Sequence, residues 1–311
     1  MKRSLEVLDG GLQTTVQDMG RVGFRKYGVP VSGVMDEHSY RLANWLAGNP
    51  SEAPVLELTL QGGSFKFHSD ATIGITGAEA EIDVNGNPVQ PNKTININSG
   101  EVLNIGRVKN GCRIYVSIAG QWDIEKVMGS FSTCLVAKFG GFEGRALNKG
   151  DRLTWTSQKK PTEIRSVPKK LIPHYAARQT IKIIEGPEWD WLNEAKKADF
   201  LATDFSLSSH SNRMGIRLKS SFVSDIKGEE MISSPVVPGT IQLPSDGAPI
   251  ILMKDGQSVG GYPRIGKVVD ADLWRLGQVW TWNEINFNLI SLEEAKELSK
   301  YYSEIWDKLN S

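Results

Sequence analysis

The stretch from Ile241 to Ile265, IQLPSDGAPIILMKDGQSVGGYPRI, gathers a carboxylate (Asp255), an amide (Gln257), a phenol (Tyr262) and a guanidinium (Arg264) around Gly256, Gly260 and Gly261. A buried strand such as Pro249 to Met253 needs only apolar residues. The residues that follow instead carry hydrogen-bonding groups on a backbone that glycine lets a ligand approach closely. A carboxylate or phenol can move a proton, an amide can polarise a carbonyl oxygen, and a guanidinium can fork onto a carboxylate or phosphate. That is the composition of a site.

Two further stretches carry similar groups. Gln13 to Arg21, continuing through Gly28 to Asp36, is expected to form an irregular loop rich in polar side chains; the plainer alternative is an ordered connection with Asp18 and Asp36 as turn and helix caps. In Ser211 to Leu218, strand alternation turns Arg217 away from the core and leaves Asn212 and Arg213 on the loop before it. Arg213 there would hold an anion or pair with a surface acid, and Asn212 would contact a ligand or simply form a turn.

Several familiar chemistries do not fit. Gly261 to Lys267 matches the first positions of a phosphate-binding P-loop, but Val268 follows where a magnesium-binding hydroxyl is required, and Val268-Val269 predicts a strand instead of a helix N-terminus. Met253-Lys254 lacks the flanking residues of a biotin-attachment dipeptide, so no covalently attached biotin is expected. The four histidines, His38, His68, His174 and His210, are isolated, and there is neither a metal-ligand pair nor a Gly-x-Ser-x-Gly elbow. No metal site is expected.

The elements that must position these groups are short strands. With 311 residues and 40% hydrophobic content the chain can fill one large core or two ordinary ones. β-rich runs bounded by turn residues recur at Val55–Leu60, Ala71–Thr76, Ala80–Val84, Thr94–Ile97, Val102–Ile105, Cys112–Ile118, Ile181–Ile184, Gly215–Leu218, Ile250–Met253 and Lys267–Val269. Their spacing predicts barrels or sandwiches, with Asn85-Gly86 as a hairpin turn. Helices are predicted after Asp36 up to Gly48, after Gly186-Pro187, and from a Ser291/Glu294 capping box to the end. A lysine-rich passage from Ser157 to Lys170 separates two lobes, 1-165 and 175-311, which can exchange segments. Thirty-six basic residues balance thirty-six acidic ones, which argues against nucleic acid. Without an apolar run of membrane length, a cytoplasmic location is expected and no membrane partner. Cys112 and Cys134 are expected to be reduced core thiols.

The blocks GLQTTVQDMGR, GVPVSGVMD, LANWLAGN, SNRMGIRL, PGTIQLPSDGAPI and DGQSVGGYPRI, in this order, resemble the signature blocks of the family of 5-oxoprolinase C subunits, also described as allophanate hydrolase subunit 2 or biotin-dependent carboxyltransferase-like. The resemblance implies a mainly β fold of tandem cyclophilin-like β-barrels with a few peripheral helices. It implies partners, homologues of the 5-oxoprolinase B and A subunits, with which such proteins open the lactam of 5-oxo-L-proline to L-glutamate using ATP. It leaves the ATP site unassigned. Two alternatives come with it: a carboxyltransferase component acting on urea or a related amide with a separate carboxybiotin carrier, and a non-catalytic regulator that sequesters the homologue of the B subunit. Two departures stand out. Pro235 follows Ser234 where relatives carry a glutamate, a role that would fall to Glu229 or Glu230, and Val259 replaces a hydroxyl residue.

On this footing Asp255, Gln257 and Tyr262 are the expected catalytic residues. Gln13, Arg21, Asn212, Arg213, Gln242, Gly260, Gly261 and Arg264 are the expected binders of substrate or phosphate. Arg213 and Arg264 would hold the anionic group, Gln257 and the Gly260-Gly261 backbone would polarise the amide oxygen, and Asp255 or Tyr262 would handle a proton. All would converge on one cleft, and Arg213→Ala would abolish turnover while sparing the fold.

Overall fold

The computed structural model describes residues 2–156, 164–219, 222 and 231–310. The chain divides into two compact units: one holds the residues up to Val22 and Ser32–Tyr175, the other Gly23–Val31 and the residues from Ala176 onward. A short excursion of the chain, interrupting the first unit, therefore belongs to the second. Part of the Ser157 to Lys170 passage, and Glu229 and Glu230, lie outside the described residues.

The first unit contains β1 (Lys2–Asp9), β2 (Thr14–Gln17), α1 (Glu37–Ala47), β3 (Val55–Thr59), β4 (Ser64–Phe67), β5 (Ala71–Val84), β6 (Asn87–Pro88), β7 (Thr94–Ile97), β8 (Val102–Ile118), β9 (Gln121–Trp122) and β10 (Arg152–Thr156). They form one 10-stranded sheet in the order β2-β3-β8-β4-β1-β10-β9, with β5 joined to β6, β7 and β8. This is the half-barrel form of the expected architecture. Leu5, Val7, Phe65, Phe67, Ile73, Ile114, Val116 and Trp155 fill its interior. The sequence breaks β5 and β8 into separate runs, but each is continuous. They pair with each other along their length, and register shifts between Gly77 and Ile82 absorb the polar interruption. Asn85 (φ 52) and Gly86 (φ 80) close the β5/β6 hairpin, as a turn with two positive φ angles requires. Asp36 caps α1, its carboxylate accepting from Ser39 N at 2.9 Å, and Gly48 (φ 75) ends it.

The second unit contains β11 (Arg178–Glu185), α2 (Glu194–Ala202), β12 (Phe205–Leu207), β13 (Gly215–Lys219), β14 (Ser234–Pro235), β15 (Thr240–Gln242), β16 (Ile250–Leu252), β17 (Val259–Gly260), β18 (Arg264–Val268), α3 (Asp270–Leu276), β19 (Glu284–Leu289) and α4 (Leu292–Asn310). Seven of the strands close into a barrel in the order β11-β18-β15-β16-β13-β12-β19. Phe200 of α2 stacks on Phe287 at 5.0 Å between ring centroids and meets Phe205 at 5.4 Å, which fixes the helix over the barrel. The helix expected after Gly186-Pro187 is only a 3-10 turn, Trp189–Trp191; the α-helix starts after Asn193, whose side chain accepts from Lys196 N. The Ser291/Glu294 capping box is present, with Ser291 N donating to Glu294 at 2.8 Å and Glu294 N to Ser291 Oγ at 3.2 Å. The small pair β14/β17 stands apart from the barrel as a two-stranded ribbon.

The protein is thus mainly β, with four α-helices among the described residues. No helix there is long and apolar enough to cross a membrane. Cys112 and Cys134 are both buried and unbridged.

Candidate functional site

The second unit brings together most of the residues singled out above. β15 and β18 pair antiparallel, and an irregularity after Ile241 sets Gln242 opposite Arg264. The Gln242 side chain is buried; its amide donates to the Tyr262 carbonyl at 3.4 Å and its oxygen accepts from Gln257 Nε2 at 3.3 Å. It also explains Gly260, where a Cβ would come within 2.5 Å of Gln242 Nε2 and push the amide away from both partners. Ser234 pairs with Gly260 and Pro235 with Val259 in the ribbon, so Gln257 and Tyr262 flank its second strand. Both are exposed, Tyr262 by 47%.

The space around the glycines differs from one to the next. None of Gly256, Gly260 and Gly261 is among the residues with positive φ. Gly256 is needed because a Cβ would lie 2.8 Å from the Met214 carbonyl oxygen, whereas at Gly261 a Cβ would make only ordinary contacts.

The charged residues are already committed to one another. Arg213 donates through Nε to Asp255 Oδ2 at 2.9 Å and through a terminal nitrogen to Oδ1 at 3.2 Å; both residues are buried. Asp255 N also donates to the Arg213 carbonyl at 2.9 Å. This is a two-pronged internal ion pair that locks the loop before β13 to the loop after β16. It removes Asp255 from exposed proton transfer and gives Arg213 a carboxylate of its own. Arg213→Ala would strand a buried charge, so the expectation that the fold survives this change is reversed. Arg264 behaves similarly. It donates to Glu188 at 2.9 and 2.7 Å and to the Pro235 carbonyl at 3.0 Å. The Arg264 guanidinium holds the Glu188 carboxyl below the usual range, and Glu188 raises Arg264 in return. Sequence reasoning misses Glu188, which the Gly-Pro-Glu motif places in a helix. Asn212 is exposed and caps a turn, its side-chain oxygen accepting from Met214 N at 2.8 Å.

Gln13 and Arg21 belong to the first unit. Gln13 is half-buried and its carbonyl accepts from Thr59 N at 3.0 Å, just ahead of β2. The expected irregular loop is therefore partly strand. Arg21 is buried, donates to the Ser132 carbonyl and stacks on Phe139 with 4.7 Å to the ring centroid. It holds the Ser130 to Gly141 loop, and an anion-binding role does not suit that enclosed position. Asp18 beside it accepts from Ser130 Oγ at 2.6 Å, Ser132 Oγ at 2.5 Å, Phe131 N at 2.7 Å and Gly20 N at 2.8 Å.

Other sites are not suggested nearby. No group of three or more His, Cys, Asp or Glu residues that could hold a metal occurs among the described residues. The P-loop-like segment runs into β18 from Arg264 onward, and Lys267 Nζ donates to the Val268 carbonyl at 2.6 Å and to Asp270 at 2.8 Å. It does not fit a nucleotide phosphate. A cleft of about 430 Å³ under α4, lined by Lys182, Asn288, Glu294, Leu298 and Tyr301 among others, contains none of the residues above.

Comparison with known proteins defines the class. Residues 27–289 match the carboxyltransferase domain family, subdomain A and B. The chain is 36% identical to the C subunit of the 5-oxoprolinase of Escherichia coli (strain K12), with 99% of each chain covered. The crystal structure of the K. lactis urea amidolyase superposes on 98% of the chain with a TM-score of 0.92 at 31% identity, and that of the Kluyveromyces lactis urea carboxylase gives the same values. The chain spans only 20% and 29% of those two structures. The protein belongs to the carboxyltransferase domain family and, within it, to the family of 5-oxoprolinase C subunits.

Proposed function

We propose that this chain is one component of a cytoplasmic, ATP-dependent 5-oxoprolinase that opens the lactam of 5-oxo-L-proline to L-glutamate together with the A and B subunits. The observation that carries this reading is end-to-end similarity: 99% of this chain aligns with 99% of a protein named as the C subunit of 5-oxoprolinase. The chemistry suits the exposed ribbon. A five-membered lactam recloses readily, so ring opening needs activation of the amide oxygen, and phosphorylation by ATP makes the carbonyl carbon a better electrophile. Gln257 offers an amide N–H toward that oxygen and Tyr262 a phenol for proton transfer, while Gln242 sets the orientation of Gln257. ATP is a co-substrate of the assembled complex; no step at the nucleotide is assigned to this chain, and biotin is not attached to it.

The test is reconstitution with homologues of the A and B subunits. Glutamate should form from 5-oxo-L-proline and ATP when all three are present and not when this chain is left out. Undiminished glutamate production without it would refute the reading. A second reading, carboxyl transfer to urea or a related amide from a separate carboxybiotin carrier, is favoured by the superposition on urea carboxylase. Urea-dependent consumption of carboxybiotin, with no glutamate formed from 5-oxoproline, would select it.

A further inference from the structure

Three arginines of the second unit concern the candidate site, and two of them are neutralised by carboxylates, Arg213 by Asp255 and Arg264 by Glu188. The third, Arg25, is different. It comes from Gly23–Val31, the excursion that belongs to the second unit although the sequence on both sides belongs to the first. A 3-10 turn, Arg25–Tyr27, presents it: Tyr27 N donates to the Phe24 carbonyl and Gly28 N to the Arg25 carbonyl, both at 2.9 Å. Gly28 closes the turn at φ 79, a left-handed conformation that glycine adopts without strain.

The Arg25 guanidinium donates from one nitrogen to two main-chain oxygens, those of Val236 and Gln257, the latter at 2.8 Å. Val236 N in turn donates to the Ser258 carbonyl at 3.0 Å, extending the ribbon register by one position. The two carbonyls held by Arg25 therefore lie at the end of the ribbon where its strands part. Arg264 holds the neighbouring Pro235 carbonyl. Burial pulls Arg25 below the ordinary guanidinium value, consistent with a cation placed among neutral acceptors.

We propose that Arg25 is the positioning residue of the candidate site, tying the Val236 and Gln257 carbonyls together and so fixing where the Gln257 amide and Tyr262 phenol stand. This rests on the proposed function only in placing the reacting groups on the ribbon. One nitrogen serves both carbonyls, so a lysine ammonium, with three donors and the same charge, should restore part of the tie, whereas alanine removes it.

Hydrogen–deuterium exchange on the full chain tests the clamp without any assay of activity. Arg25→Ala should speed exchange in 234–237 and 257–262 several-fold, Arg25→Lys less, and both should leave β11, β16 and β18 unchanged; unchanged exchange at the ribbon in Arg25→Ala would overturn the proposal. In the reconstituted complex, Arg25→Ala should lower kcat about tenfold or more with a smaller change in KM, and added guanidinium should restore part of the rate. Normal kcat in Arg25→Ala, while Gln257→Ala is impaired, would refute the positioning role alone. Normal turnover in both would refute the assignment of the ribbon as the site as well. An effect on melting temperature alone, without the local exchange signature, would also count against it.

Discussion

The Asp18 loop of the first unit and the Gln257 to Tyr262 ribbon of the second have similar compositions, polar side chains interspersed with glycine, yet they end in opposite states. Around Asp18 every strong group turns inward: two serine hydroxyls and two amides satisfy its carboxylate, and Arg21 closes over Phe139. A second network in that unit is equally closed. Tyr115 donates to Glu57 at 2.8 Å and accepts from Asp36 N at 2.8 Å, and burial together with the Glu57 carboxylate pushes its phenol well above the ordinary value. Near the ribbon, by contrast, Arg213 and Arg264 are paired with carboxylates, Arg25 holds main-chain carbonyls, and Gln257 and Tyr262 remain exposed. A polar loop becomes a candidate site when its groups do not exhaust one another.

The sharpest way to break this contrast is the Arg213–Asp255 pair, on the loop that leads into β17. Arg213→Ala should cost about 3–5 kcal/mol by leaving Asp255 buried and unpaired, measured by urea unfolding. Replacing both partners, Arg213→Met with Asp255→Leu, should recover most of the loss; a mild single substitution would mean that the pair is dispensable. In the first unit, Asp18→Ala should cost about 2–3 kcal/mol, because two hydroxyls and two amides lose an ionised acceptor, with no direct contribution to chemistry. Equal loss of activity in a variant of unchanged stability would put the Asp18 loop back among the functional regions.

The Arg264–Glu188 pair gives a pH signature. A carboxyl group whose pKa falls on folding stabilises above its unfolded value, about 4.3, and that contribution is lost as the pH drops through the lower folded value. The stability difference between wild type and Glu188→Gln should thus be constant from neutral pH to about pH 5 and shrink below about pH 4. A difference that grows on acidification would contradict the pairing. The smallest effects on stability are expected at the ribbon itself. Gln257→Ala and Tyr262→Phe should change unfolding free energy by less than about 0.5 kcal/mol. Gln257→Ala should nonetheless lower kcat about 100-fold, the scale for losing one donor to a developing oxyanion.

Much of the scaffold is legible in the sequence. The capping Asp36, the Ser291/Glu294 box and the Asn85-Gly86 turn are readable because each depends on neighbours a few residues away. β2 and β4 escape such a reading because they are short, and β1 because it is only partly apolar; they become strands through partners supplied by distant segments, such as β10 for β1. The helix expected near Gly186 fails for a related reason: Glu188, its expected first turn, is drawn to Arg264 on β18. The ribbon's chemistry is visible as composition, but its electrostatics is not. No spacing rule links Arg213 to Asp255 or Arg25 to Gln257.

The sequence by itself determined the family, the mainly β character, the local caps and turns, and the identity of the side chains available for chemistry, because these depend on residue type and short-range order. Only the tertiary structure decided which arginines are consumed by internal carboxylates, which polar loop is closed and which is open. Ion pairing and burial are set by distance in space, and a chain fixes that distance only after its remote segments have packed.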